Sequence, residues 1–145
     1  PAYYNNTNSS YTFADGQVTE SWGTATAKEL EDRNATDEDG VELNPIVVIE
    51  GLKTEKKKIV KAQASTLLER TDWHNHKALD DNSYTIPDNI KTYRANVRAK
   101  SNEMETQIDA CNNVDELKTL YEYVNTGTEE NPVYERPLAE FPEEI

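Results

Sequence analysis

The sequence predicts an α+β protein: a small helical bundle of three main helices, preceded by a β-hairpin arm and a short strand, with an extended acidic C-terminal tail. Three observations carry this expectation. Apolar residues recur at helical spacing over 53–70, from about Pro87 to Ala110 and over Val114–Val124. The segment Tyr11–Trp22 holds β-prone residues on either side of Asp15-Gly16, a dipeptide suited to a two-residue type I′ turn. Charge divides the chain at similar places. Residues 1–50 hold ten acids and two bases, residues 51–126 twelve of each, and residues 127–145 six acids and one base. The expected organisation is a β-rich acidic region (1–50), a helical domain (51–126) and an extended acidic tail (127–145).

Composition bounds the function. At 145 residues and 35% hydrophobic content the core must be small, so much of the chain is surface, arm or interface. A net charge of −13 argues against a phosphate backbone as partner and suits association with a basic protein surface. No apolar run approaches the ~18 residues of a membrane span, and no basic segment followed by an apolar one marks a secretory signal. Neither a nucleic acid nor a membrane is an expected partner, and no cofactor is expected. The single cysteine, Cys111, excludes an internal disulfide, fits a reducing compartment and reads as a small buried helix residue.

Taken in order, residues 1–10 are an Asn- and Ser-rich arm that cannot offset its own ordering by burial. Tyr3 and Tyr4 are its candidate anchors on a partner. Asn5, Asn8 and Asn34 sit in sequons that, without a signal, read as chance matches. The hairpin Tyr11–Trp22 is marginal alone and must pack on something, with Tyr11, Phe13 and Trp22 as candidate partner contacts. Residues 25–33 suggest a short, weakly amphipathic helix. The acidic loop 34–44 contains Asp37, Asp39, Gly40 and Glu42, but lacks the length and flanking helices of a calcium loop. Pro45 opens a strand, Ile46–Ile49, expected to be covered on both faces or to pair at an interface. Val47 and Ile49 are candidate contacts there.

A convincing helix follows at 53–70, with Ile59, Val60, Ala64, Leu67 and Leu68 on one face. Lys56, Lys57 and Lys58 read as a solvated helix face rather than a nucleic-acid contact. Asp72 could cap a neighbouring turn, Trp73 reads as an anchor packed between helices, and Lys77–Tyr84 as a polar connection. His74 and His76 have no third ligand nearby, so they read as loop histidines rather than a metal site. Pro87 suits a first helical turn. Ile90, Tyr93, Val97, Met104, Ile108 and Cys111 then define a helix to Ala110, roughly 35 Å long, part of which should project or meet a partner. Arg94 and Arg98, one turn apart, form either an exposed basic edge or ion pairs with nearby acids. Asn113 and Glu116 make a capping box for a last helix, Val114–Val124. In the tail, Tyr134 and Phe141 are candidate partner contacts, since acids interleaved with hydrophobes suit docking in a groove.

One longer pattern stands out. Leu67, Leu68, Thr71, Asp72 and Trp73 are followed by Pro87, Ile90, Tyr93, Arg94, Val97 and Arg98. This order resembles the C-terminal helical domain of phage tail assembly chaperones, a group that overlaps with tail-fibre assembly proteins and whose module is found on phage virion-associated proteins. The match covers about residues 53–100. The resemblance implies a non-enzymatic virion component, of tail, tail fibre or capsid surface, assembled in the host cytoplasm. Its partners would be other phage structural proteins or further copies of the chain. The alternative is a transient assembly chaperone not retained in the virion. A third expectation, a small enzyme or metal protein using His74, His76 and the acids of 37–42, requires those groups to cluster in a pocket. In the docking reading both ends order only within an assembly, and truncating 1–22 or 128–145 leaves the helices folded.

Overall fold

The computed structural model describes residues 2–145. In chain order its elements are β1 (Tyr4–Asn5), β2 (Ser9–Ala14), β3 (Gln17–Trp22), β4 (Thr26–Ala27), β5 (Arg33–Asn34), β6 (Val48–Ile49), α1 (Leu52–Glu69), α2 (Asp72–Asp80), α3 (Asp88–Ala110), α4 (Val114–Tyr121), β7 (Val124–Asn125) and β8 (Tyr134–Glu135). The fold is α+β as expected. Among the described residues it has four helices rather than three main ones, and the strands pair only as antiparallel two-stranded ribbons: β1–β4, β2–β3, β5–β6 and β7–β8.

Helices α1 and α3 form the spine. Lys53 Nζ meets the Asp109 carbonyl at 3.0 Å, Lys61 meets Glu105 at 3.2 Å, and Arg94 reaches the Leu68 carbonyl at 2.8 Å, so the two run antiparallel. Between their packed faces and α4 lies the main core: Leu52, Val60, Met104, Ile108, Cys111, Val114, Leu117 and Leu138. Ala64, Tyr93 and Val97 form a second cluster toward the other end. Half-buried Phe141 packs against both. Each fully buried side chain of this size contributes roughly 1.5–3 kcal/mol by leaving water. Buried residues run from Ile90 to Ile108, so α3 is covered along its length and does not project as expected.

The start of α1 explains a second departure. The expected helix at 25–33 is absent. That stretch has only Leu30 to bury, whereas its backbone has a use: the Leu52 N–H donates to the Glu29 carbonyl at 2.9 Å and the Lys53 N–H to the Leu30 carbonyl at 3.1 Å. Asp32 adds a carboxylate that accepts from the Gly51 N–H at 2.8 Å and the Thr54 hydroxyl at 2.9 Å. The N–H groups of Gly51, Leu52 and Lys53 at the helix start are thus met by a segment some twenty residues upstream. The approach is close enough that a Cβ on Gly51 would lie 2.4 Å from the Glu31 backbone, so only glycine fits.

Other expectations also change. The strand at Ile46–Ile49 shrinks to Val48–Ile49, paired with Arg33–Asn34. Its four residues are 40–64% exposed rather than covered on both faces. The connection after Thr71 is largely a helix, α2, which the sequence hides because its residues do not repeat at helical spacing. Its one buried residue is His74, whose Nδ1 lies 2.5 Å from the Tyr84 hydroxyl. Trp73 is not an anchor between helices. It is 54% exposed and stacks on the His74 ring at 3.7 Å between centroids. Helix α4 starts as expected, with Asn113 Oδ1 accepting from the Glu116 N–H at 2.8 Å. It stops at Tyr121 because Val124–Asn125 pairs with Tyr134–Glu135.

Both ends belong to the body. Tyr3 and Tyr4 pack on the main core, and the Tyr4 hydroxyl donates to Asp115 at the start of α4. Tail residue Leu138 is in the core; its N–H donates to the Leu120 carbonyl at 3.0 Å, and the Ala139 N–H to Gln107 Oε1 at 2.8 Å. The expectation that the ends order only on partners therefore does not hold for Tyr3, Tyr4, Leu138 and Phe141, which pack on the chain's own core.

Candidate functional site

The segment least used by the body is the β2–β3 hairpin. Every residue from Ser10 to Ala27 is exposed. Asp15 (φ 52°) and Gly16 (φ 76°) both adopt positive φ, as a type I′ turn requires. This turn fixes the register, pairing Tyr11 with Glu20, Phe13 with Val18 and Ser9 with Trp22. Side chains alternate across the ribbon, so one face gathers Tyr11, Phe13, Val18 and Trp22. The other gathers Ser10, Thr12, Thr19 and Ser21, with the Ser10 and Ser21 hydroxyls 2.8 Å apart. The four apolar side chains are 55–74% exposed. Contiguous exposed apolar patches are uncommon on monomers and often mark interaction sites.

The other candidate contacts divide. Val47 and Ile49 lie in the exposed stretch beside Val41, Leu43 and Ile46, and Tyr134 is exposed on the β7–β8 ribbon with Tyr123, Val124 and Val133. Tyr3, Tyr4 and Phe141 are half-buried on the chain's own core. The exposed apolar surface is therefore concentrated on three ribbons, while the helices bury most of theirs.

Most of the motif residues meet at one structural joint, while Trp73 and Arg98 stay exposed. Arg94 is buried at the corner between α1 and α2. Its Nη1 donates to the Leu68 carbonyl at 2.8 Å and to Thr71 Oγ1 at 2.7 Å, and its Nη2 pairs with Asp72 at 2.8 Å. Thr71 Oγ1 in turn donates to the Leu68 carbonyl at 3.0 Å. Leu67, Leu68 and Tyr93 belong to the second cluster, Ile90 is buried, and Pro87 precedes the first turn of α3. Exposed Arg98 donates to the Arg94 carbonyl at 3.3 Å. Of the two readings of the arginines, pairing holds for Arg94. The spacing of the motif is thus that of a three-helix joint.

The lysine run is engaged internally. Lys57 pairs with Asp109 at 2.7 Å, Lys58 with Glu50, and Lys56 sits 4.8 and 4.9 Å from the Tyr3 and Tyr121 ring centroids. Burial pushes the Tyr121 hydroxyl pKa up to about 12. Sequence reasoning also missed buried Lys53, whose Nζ pairs with Glu31 at 2.5 Å; a lysine among lysines gives no sign of burial. Among the described residues no three His, Cys, Asp or Glu side chains cluster as a metal site. Asp37 uses its carboxylate on the Asp39 and Val41 N–H groups at 3.0 and 2.9 Å. An open groove of about 620 Å³ lies between α1 and the tail, lined by Ile59, Leu67, Phe141 and the Arg70–Glu144 ion pair. Among the described residues no helix is long and apolar enough to cross a membrane. Compared with known proteins, the chain matches no family model, no curated protein and no solved structure.

Proposed function

We propose that this chain is a non-enzymatic structural or accessory subunit of a bacteriophage virion, on the tail, tail fibre or capsid surface. It docks on neighbouring virion subunits through its ribbons and needs no cofactor, nucleic acid or membrane. The observation that carries the docking reading is the uncovered aromatic face of the β2–β3 hairpin. A two-stranded ribbon is marginal in water, and an aromatic face gains most where a partner removes it from water. The phage setting rests on the resemblance of the Leu67–Arg98 pattern to tail assembly chaperone domains. The test is peptide mass spectrometry of purified, salt-washed particles of the phage that encodes the chain. Recovery of Ile59–Tyr121 peptides in fixed ratio to known virion subunits is the expected result. Their absence from particles, with the protein abundant in the infected-cell lysate, would replace this reading by the second one. That second reading is a transient assembly chaperone, and the motif resemblance favours it.

A further inference from the structure

The aromatic face of the hairpin carries one charge. Glu20 sits within it, opposite Tyr11 and two residues from both Val18 and Trp22. The Tyr11 hydroxyl donates to its carboxylate at 2.7 Å. Any surface that covers Tyr11, Phe13 and Trp22 also takes Glu20 out of water. A carboxylate so placed opposes docking unless a cation meets it. A second copy of the chain would bring a second Glu20 and a second net charge of −13 to the interface. An arginine or lysine meets the need, and the Tyr11 ring, whose hydroxyl bonds the carboxylate, offers a π face to such a cation.

The edge of the ribbon says how the partner arrives. Among the described residues the sheet has only two strands, so both outer edges are unpaired. In a hairpin closed by a two-residue turn, the closing pair, here Ala14–Gln17, is the hydrogen-bonded kind. Alternation then makes Phe13–Val18, Tyr11–Glu20 and Ser9–Trp22 the other kind, whose backbone N–H and C=O groups point outward. The residues of the aromatic face are therefore also the ones that offer an edge to a third strand.

We infer that the hairpin receives an extended segment of a different protein, added as a third strand, that places an arginine or lysine beside Glu20 and apolar side chains two residues to either side. This rests on the docking reading above and names the chemistry of its partner. The test is to pan a displayed random-sequence peptide library against the full chain, with the Val18→Ser, Trp22→Ser double variant, which strips the β3 residues on either side of Glu20, for counter-selection. The hairpin lies outside the core, so circular dichroism of the variants should keep the helical signal. The expected peptides alternate apolar residues around a single arginine or lysine, fail to bind the double variant and lose roughly tenfold in affinity to Glu20→Gln. Peptides that are acidic or uncharged, binding that survives the double variant, or no enrichment over an unrelated protein would each overturn the inference. So would concentration-dependent self-association abolished by Phe13→Ser, which would make a second copy the occupant. Failure here with the chain still present in particles would leave the virion reading standing. Absence from particles would remove that reading and leave the peptide result untouched.

Discussion

Arg94 holds three parts of the chain at once: the last turn of α1 through the Leu68 carbonyl, the start of α2 through Thr71 and Asp72, and its own helix α3. Asp72 is partly open to water, so the ion pair is the smaller part of this, at most about 1 kcal/mol. The bonds to buried neutral oxygens are the larger part, because losing the donor leaves them unmet. Arg94→Ala should therefore lower stability by about 2–3 kcal/mol in urea unfolding, and Asp72→Ala by about 1 kcal/mol or less. Arg94→Lys should behave nearly as badly as the alanine variant, since an ammonium cannot span the same three acceptors. Equal losses for Asp72→Ala and Arg94→Ala would place the weight on the ion pair instead. The spacing of Tyr93-Arg94 to Thr71-Asp72 was legible as a pattern, and pairing was one of two readings of Arg94. That Trp73 faces outward was not legible, because a lone tryptophan next to a histidine carries no sign of which one α2 turns inward.

At the scale of elements, the start of α1 shows a cap supplied from a distance. The Gly51 N–H and the Thr54 hydroxyl hold the Asp32 carboxyl below its ordinary value of 3.8. The Asn112 backbone N–H, first among several donors, does the same for Glu116, below 4.5, at the start of α4. A carboxylate whose pKa is lowered by folding stabilises the fold above its ordinary value, and that stability is lost as pH falls through the lowered one. Urea midpoints should thus be flat from neutral pH to about pH 5 and fall below about pH 4. Asp32→Asn should start from a lower midpoint and fall less steeply in acid; an unchanged acid limb would show that the cap contributes nothing. Gly51→Ala should cost about 1–3 kcal/mol, since its Cβ meets Glu31 backbone rather than a movable side chain. Helices α1, α3 and α4 were legible because burial on one face leaves a periodic record. The segment 25–33 misled because much of its task is done by the Glu29 and Leu30 carbonyls, which no residue type announces.

For the whole molecule, the main surprise is how the apolar residues are shared between body and surface. A tail of acids interleaved with hydrophobes reads the same whether its groove lies on another protein or on its own helices. Here Leu138 and Phe141 find their own helices, and Tyr3 and Tyr4 join them. Removing residues 136–145 should consequently destabilise the helices, by about 2–4 kcal/mol for the loss of Leu138 alone. The hairpin behaves oppositely: Phe13→Ser with Trp22→Ser should leave the unfolding free energy from urea titration within about 0.5 kcal/mol of the parent. Equal stability with unequal function is the signature of a docking element, and one measurement reads both. Wild-type chain and the Phe13→Ser, Trp22→Ser variant are co-expressed at equal levels during infection, and their ratio is measured by mass spectrometry in the lysate and in salt-washed particles. The ribbon account predicts equal amounts of soluble protein in the lysate and wild type strongly favoured in the particles. Particles that carry both forms in the lysate ratio would contradict it, and would move the search for the docking surface to the groove beside Phe141 or the Val41–Ile49 ribbon.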